Sequence, residues 1–374
     1  MKRTVHLAVV ALLSLCGASS AQDLFVRNGR VVDPASREVR PANVLILDGR
    51  IAGFPSEPPA DRALEVVDVE GRWIIPGLND LHTHSYGNMG PGNAFESVGT
   101  PVVAKRYLYC GVTGFLDLFA AEETIHSQRE RQREGGVVGA DIFTSLSCLT
   151  ATEGHCTEYG VKTRTMDSPE EARAVVSDLA NKRPDVFKIV YAPTGRMPSI
   201  DKATLAAAVS TATEHGVKTV IHVNTWQDVA DAVEVGASAV THVPIDGPVP
   251  EALAQEMASK GMAHIPTLAV QTDFSHFVLD PEVLASPMAR QMTSEALLAG
   301  YRSDSAVRRA EDHATQSAEH EALVLASVKT LADAGVVILT GTDAGNWGTL
   351  QGFSIHRELE KMVAAGLSPW EALA

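Results

Sequence analysis

The alternation of apolar and polar positions divides the chain into three regimes. Lys2 and Arg3 precede a mostly apolar run from Val5 to Leu15, and small residues follow as far as Ala21. A short positive region, an apolar stretch too short to span a bilayer, and Ser19 and Ala21 before Gln22 predict a cleavable secretory signal over residues 1–21. Cys16 raises a lipoprotein signal as an alternative, but the bulky Leu15 before it argues for plain export to the periplasm or the medium. From Asp23 to Glu70, short apolar-rich runs (Leu24–Val26, Arg30–Val32, Asn43–Leu47, Ile51–Ala52) are broken by Asn28-Gly29, Asp33-Pro34 and Asp48-Gly49. These are turn signals, and they predict that residues 22–72 form part of a small β-sandwich domain.

The rhythm changes over residues 73–374. Eight strand-like runs alternate with helical patterns: Trp73–His84, Val112–Leu118, Asp141–Leu149, Val186–Ala192, Val217–Val223, Ala239–Val243, Ala263–Leu268 and Val336–Asp343. Ser168-Pro169-Glu170-Glu171 has the make-up of a capped first helical turn, and the patterns Gln227–Val235 and Pro250–Lys260 each stop at a glycine. Near-continuous apolar strands separated by helices imply a parallel sheet, and eight such units imply a closed (β/α)8 TIM barrel. The charged, helix-prone stretch Leu284–Ala334 reads as a helical excursion ahead of the last strand.

Composition narrows the class without choosing within it. The chain of 374 residues is 45% hydrophobic and 21% charged, ordinary for a globular α/β protein. Its formal charge of −15 argues against nucleic acid as a partner, and no run after the signal is long enough for a transmembrane helix. A homo-oligomer is left open. Cys110, Cys148 and Cys156 remain after the signal; a Cys148–Cys156 bridge and three small buried residues are both compatible with their positions.

The chemistry concentrates at the ends of the strand-like runs. In Pro76-Gly77-Leu78-Asn79-Asp80-Leu81-His82-Thr83-His84, the two histidines lie two apart and so share one face of a strand. Converging neutral imidazoles suit a divalent cation such as Zn2+. Lys188 sits mid-strand among apolar neighbours, where burial makes an ammonium costly. His222 and His242 end the fifth and sixth runs and Asp343 ends the eighth, the positions where a barrel carries its reactive groups.

These residues resemble the amidohydrolase superfamily, whose pattern is His-x-His on the first strand, Lys on the fourth, His on the fifth and sixth, and Asp on the eighth. Gly111-Val112-Thr113, Gly341-Thr342-Asp343-Ala344-Gly345 and Ala365-Gly366-Leu367-Ser368-Pro369 agree with it. Among branches, the chain looks most like the imidazolonepropionase-related peptidases acting on Xaa-Pro-type dipeptides. The resemblance implies two divalent ions, Zn2+ first among them, and a carbamate formed by CO2 on Lys188 that bridges them. His82, His84 and Asp343 would hold one ion, and His222 and His242 the other. A bridging hydroxide would attack the amide, with Asp343 as the catalytic proton carrier. Deaminase members carry a Glu three residues after the fifth-strand His and lack the strand-four Lys; Thr225 and Lys188 stand here instead.

The expected substrate is a small amide, a dipeptide or an N-acyl amino acid. His155, Tyr191 and Arg196 follow the third and fourth strands and are the expected contacts for its carboxylate. Asp117 ends the second strand and could orient a ligand or pair with a neighbouring strand. His126, His215, His264, His276, His313, His320 and His356 are expected on the surface or in packing. The competing readings are a lactonase, carbamate or phosphotriester hydrolase on the same centre, and a catalytically silent envelope metal-binding protein. Superfamily members continue past the eighth helix with further strands for the small β domain, so the chain reads as C-terminally truncated.

Overall fold

The computed structural model describes residues 23–374 and divides the chain into two compact units meeting between Pro76 and Gly77. The expected signal over residues 1–21, Cys16 included, lies outside the described residues.

The first unit is a mixed five-stranded sheet of β1 (Leu24–Asp33), β2 (Glu38–Leu47), β3 (Arg50–Gly53), β4 (Glu65–Asp68) and β5 (Trp73–Ile74). Its order is β3-β2-β1-β4, with β5 also on β1. β1 is antiparallel to β2 and parallel to β4 and β5. Asn28-Gly29, expected to separate two strands, lies inside β1 as an irregularity in its register with β2. Asn28 holds φ at 60°, and its amide donates to the Asn43 side chain at 3.0 Å, so the strand continues past the interruption. Asp48-Gly49 does form the β2–β3 turn, with φ at 51° and 72°. The first expected barrel strand is divided: Trp73–Ile74 pairs with β1, and only Leu78–Thr83 runs in the second unit.

That unit opens with β6 (Leu78–Thr83), the hairpin β7 (Gly87–Gly90) and β8 (Ala94–Ser97), α1 (Thr100–Tyr109), β9 (Val112–Asp117) and α2 (Glu122–Arg133). It continues through β10 (Asp141–Thr144), β11 (Cys148–Thr150), β12 (Arg164–Thr165), α3 (Pro169–Ala180), β13 (Val186–Val190), α4 (Lys202–Glu214), β14 (Lys218–His222) and α5 (Trp226–Glu234). Then come β15 (Ala239–Thr241), α6 (Glu251–Ser259), β16 (Ala263–Ile265) and α7 (Leu268–Leu279). The third expected run is interrupted where Leu146 turns to φ 66°, its amide bonded to the Thr144 hydroxyl at 2.8 Å. Parallel pairing runs β6-β9-β10 and β11-β13-β14-β15-β16, and Asp185 N joins the two sets by donating to Thr144 O. The eighth run pairs through single bridges, Ile338 with His264 and Ala344 with Thr83. The sequence of pairings thereby returns to β6.

Most positions of these strands are buried, which explains their near-continuous apolar text. Leu116, Val220, Ala239 and Ile265 fill one cluster, while their neighbours Phe115, Ile221 and Val240 pack in another with the helices. Helix starts are capped as their sequences require. Ser168 and Asp201 accept from amides three residues on, and Thr225 forms a reciprocal box with Asp228.

The helical excursion comprises α8 (Pro281–Ala285), α9 (Pro287–Gln291), α10 (Glu295–Tyr301), α11 (Asp304–Asp312) and α12 (Ala314–Asp333), followed by α13 (Ser354–Ala364) and α14 (Pro369–Leu373). It has its own core of Phe277, Leu284, Leu298, Tyr301 and Phe353. No helix among the described residues is long and apolar enough to cross a membrane.

Candidate functional site

His82 lies at the end of β6 and His84 just beyond it, and their rings stand 5.4 Å apart, edge to face. Asp343 closes the eighth run, bonded through its amide to His82 O at 2.7 Å. Gly341 permits that approach: a Cβ there would clash with Ile265 Cγ2 and lie 3.0 Å from the His82 backbone nitrogen. Asp343 Oδ1 then stands 2.8 Å from His84 Nε2 and 3.3 Å from His82 Nε2. Lys188 enters from the middle of β13, with Nζ 3.4 Å from His82 Nε2. His242 follows β15, its ring centroid 5.0 Å from that of His82 and 4.6 Å from that of His222 at the end of β14. All six expected residues meet at one end of the parallel strands.

The rings are held by their far nitrogens. His82 Nδ1 pairs with the Thr241 hydroxyl at 2.6 Å, and His242 Nδ1 with the Thr267 hydroxyl at 2.8 Å. Each contact leaves Nε2 for the cluster. His242, Thr267 and Asp343 all hold positive φ, at 73°, 51° and 55°. Such conformations are strained for residues with a Cβ and collect at functional sites.

Burial pushes the pKa of His82 and of His222 well below the usual imidazole range, aided by the Lys188 charge; His242 is lowered by burial and by His222. Burial also lowers Lys188, which is 3% exposed. Neutral imidazoles expose lone pairs rather than protons. His84 Nδ1 is buried with no hydrogen-bond partner. His82, His242 and Asp343 each offer a ligand atom, all within 4.8 Å of one another. Imidazole nitrogen with carboxylate oxygen is a donor set for a divalent cation.

Asp117 serves a different purpose from a ligand. Its carboxylate accepts from Ser85 N at 2.8 Å, from the Ser85 hydroxyl at 2.5 Å and from Phe119 N at 3.0 Å, tying the turn after β6 to the end of β9.

The cluster opens into a cavity of about 840 Å3. His155 lines it, 4.9 Å from the His222 ring, with Nδ1 on Glu158 at 2.7 Å. Tyr191 and Arg196 do not. Tyr191 is buried and donates to Asp231 at 2.7 Å, and Arg196 is exposed outside the lining. Tyr191 is drawn instead to α5, which carries Asp231. The opposite wall was not anticipated: Gln271 and Phe274 of α7, Arg309 of α11, His313 and Trp347 line it. His313 is exposed, as expected, and also lines the cavity. Cys148 and Cys156 are buried thiols, the second also lining the cavity.

The amidohydrolase family model matches residues 73–374. A D-hydantoinase from Streptomyces coelicolor is 31% identical over 205 residues, covering 53% of this chain and 39% of that protein. A dihydroorotase from Solibacter usitatus is 48% identical over 61 residues, which is 16% of this chain. That stretch spans only 14% of the dihydroorotase's own length. The solved structure of an Xaa-Pro dipeptidase with bound methionine superposes with a TM-score of 0.72 at 18% identity, covering 94% of this chain and 86% of that one. The chain belongs to the amidohydrolase family.

Proposed function

We propose that this chain is an exported, metal-dependent hydrolase that cleaves the amide bond of a dipeptide or N-acyl amino acid at the mouth of a (β/α)8 barrel. The observation that carries the reading is the meeting of His82, His84, Lys188, His222, His242 and Asp343, brought from separate strand ends to one cavity. Parallel pairings that return to β6 support the barrel. The likeness to an Xaa-Pro dipeptidase supports the dipeptide.

His82, His84 and Asp343 would hold one divalent cation and His222 and His242 a second, with Lys188 as its CO2-derived carbamate between them. Zn2+ suits the set. Such ions, when bound, acidify water and polarise a carbonyl. Asp343 turns Oδ1 to the imidazoles, so Oδ2 accepts the proton released on attack and passes it to the leaving amine. Thr241 and Thr267 keep the rings aimed inward throughout. His155, beside His222, contacts the substrate near the scissile group. Export rests on the signal pattern of residues 1–21, and mass spectrometry of the mature chain should find Gln22 at its start.

The test is a panel of dipeptides, N-acyl amino acids, lactones and phosphotriesters presented to the purified zinc-loaded protein. The highest kcat/KM should fall among the amides. A lactone or phosphotriester at the top would assign the centre to a different bond.

A further inference from the structure

Arg309 projects from α11 into the wall of the cavity. Its guanidinium carbon stands 5.4 Å from the centre of the Trp347 ring and 5.9 Å from that of Phe274. Those two rings are themselves stacked, 5.9 Å apart and 29° from parallel. Stacking on aromatic faces holds the planar group in place without using its N–H donors. No carboxylate among the described residues forms an ion pair with it. Among the described residues, Asp343 is the one carboxylate that lines the cavity, and Arg309 the one guanidinium. In a chain with a formal charge of −15, where Arg106, Arg129, Arg164 and Arg357 each have an acidic partner, this cation faces the cavity without one. Gln271, also in the lining, donates through Nε2 to Val243 O at 2.9 Å, which leaves Oε1 buried with no partner. The wall thus offers fixed donors for an anion, a flat aromatic surface and an acceptor for an N–H.

We infer that Arg309 is the anion anchor of this cavity, taking the carboxylate of an N-acylated amino acid or dipeptide whose aromatic or large apolar side chain lies on Phe274 and Trp347. This rests on the amide-hydrolase reading only for the bond that is cut. It moves the carboxylate contact from Arg196, outside the lining, to a residue of the helical excursion. A bidentate guanidinium–carboxylate contact is charge-assisted and directional, and it fixes one end of the substrate while the amide faces the strand ends.

Binding and turnover test this separately. N-acetyl-L-phenylalanine and its carboxamide are titrated calorimetrically into wild type, Arg309→Met and Arg309→Glu. Hydrolysis of Ala-Phe and Ala-Phe amide is followed in the same proteins. Arg309 is exposed, so Met, which keeps an apolar stem, should leave the unfolding temperature unchanged. Wild type should bind the free acid about 100-fold more tightly than the amide, the scale of a lost charge-assisted contact. Arg309→Met should bring the two ligands within about threefold of each other, and Arg309→Glu should reject the acid while still binding the amide. For Ala-Phe, the change should appear in KM rather than kcat. An acid preference retained in Arg309→Met, equal loss for acid and amide, or no binding by wild type overturns the inference. If wild type binds the acid through Arg309 but hydrolyses neither dipeptide, the anchor stands and the dipeptidase reading fails.

Discussion

Asp80 holds Thr342 from two sides, its carboxylate accepting the Thr342 hydroxyl at 2.6 Å and the Thr342 amide at 3.0 Å. The pair joins the strand that carries His82 to the run that carries Asp343. Asp80 also accepts from Tyr107 at 2.8 Å and from the His82 amide at 3.2 Å, all fully buried. Burial raises its carboxyl to about 6 against the pull of these donors.

Asp80→Ala would strand those donors in an apolar interior. It should cost about 3–5 kcal/mol of stability by the usual penalty for unpaired buried groups. Asp80→Asn keeps one acceptor oxygen and should cost about 1–3 kcal/mol. Urea unfolding reads both. A loss below about 0.5 kcal/mol in Asp80→Ala would mean that the two strands are held by other contacts.

Lys188 and the four strand-end histidines carry a second prediction. The purified protein at saturating zinc and bicarbonate should hold about two zinc equivalents by elemental analysis. Lys188→Ala should lose about one of them and most activity, and short carboxylic acids should restore part of both by standing in for a carbamate. Full metal content and activity in Lys188→Ala would leave the lysine as an ordinary buried strand residue.

Legibility divides along the range of the contacts involved. His82 and His84 could be paired from the period of a strand alone, and the ends of the other strands followed from the βα rhythm. Phe274, Arg309 and Trp347 could not be grouped this way. They come from α7, α11 and a loop near the eighth run, joined only by packing between distant segments. Arg309 reads locally as one more charge on an amphipathic helix whose buried face is Ala306 and Ala310. Arg196 misled for the opposite reason: proximity in sequence to a strand end does not fix where an exposed loop side chain points. Within β1, Asn28-Gly29 has strong turn chemistry, but Asn43 supplies the acceptor that lets the strand continue.

His264 gives a pH dependence independent of the cluster's own ligands. It is fully buried in β16, neither ring nitrogen has a partner, and burial lowers its pKa to about 4. The unfolded chain binds a proton near pH 6.5, whereas the folded one resists until about 4. The unfolded state therefore holds more protons across this window, and stability falls as pH drops through it. The slope from this residue is at most about 1.4 kcal/mol per pH unit. His264→Phe should flatten that limb of the stability–pH curve. An unchanged slope would assign the acid sensitivity to other groups.

Asp273 supports the anion-binding wall from behind. It is fully buried, yet it receives Arg357 Nε at 3.1 Å, Arg357 Nη2 at 3.3 Å and Lys361 Nζ at 2.9 Å. Lys361 is itself buried and also pairs with Glu321 at 2.8 Å. The network clamps α13 to α7 one residue before Phe274, so its effect should be both thermodynamic and functional. Asp273→Ala removes one anion from between two cations and should destabilise the protein by about 3–5 kcal/mol, because the remaining charges stay in a low-dielectric interior. Asp273→Asn preserves shape and one acceptor and should lose less. Adding Lys361→Met to Asp273→Ala removes one of the cations that Asp273 had paired and should recover part of the loss, so the two changes should be non-additive by more than about 1 kcal/mol. If Phe274 depends on this clamp for its place against Trp347, Asp273→Ala should also weaken N-acetyl-L-phenylalanine binding in protein that is still folded. Strictly additive effects on stability, with binding intact, would reduce the network to a surface-like ion pair and leave the wall to be held by the excursion's own core.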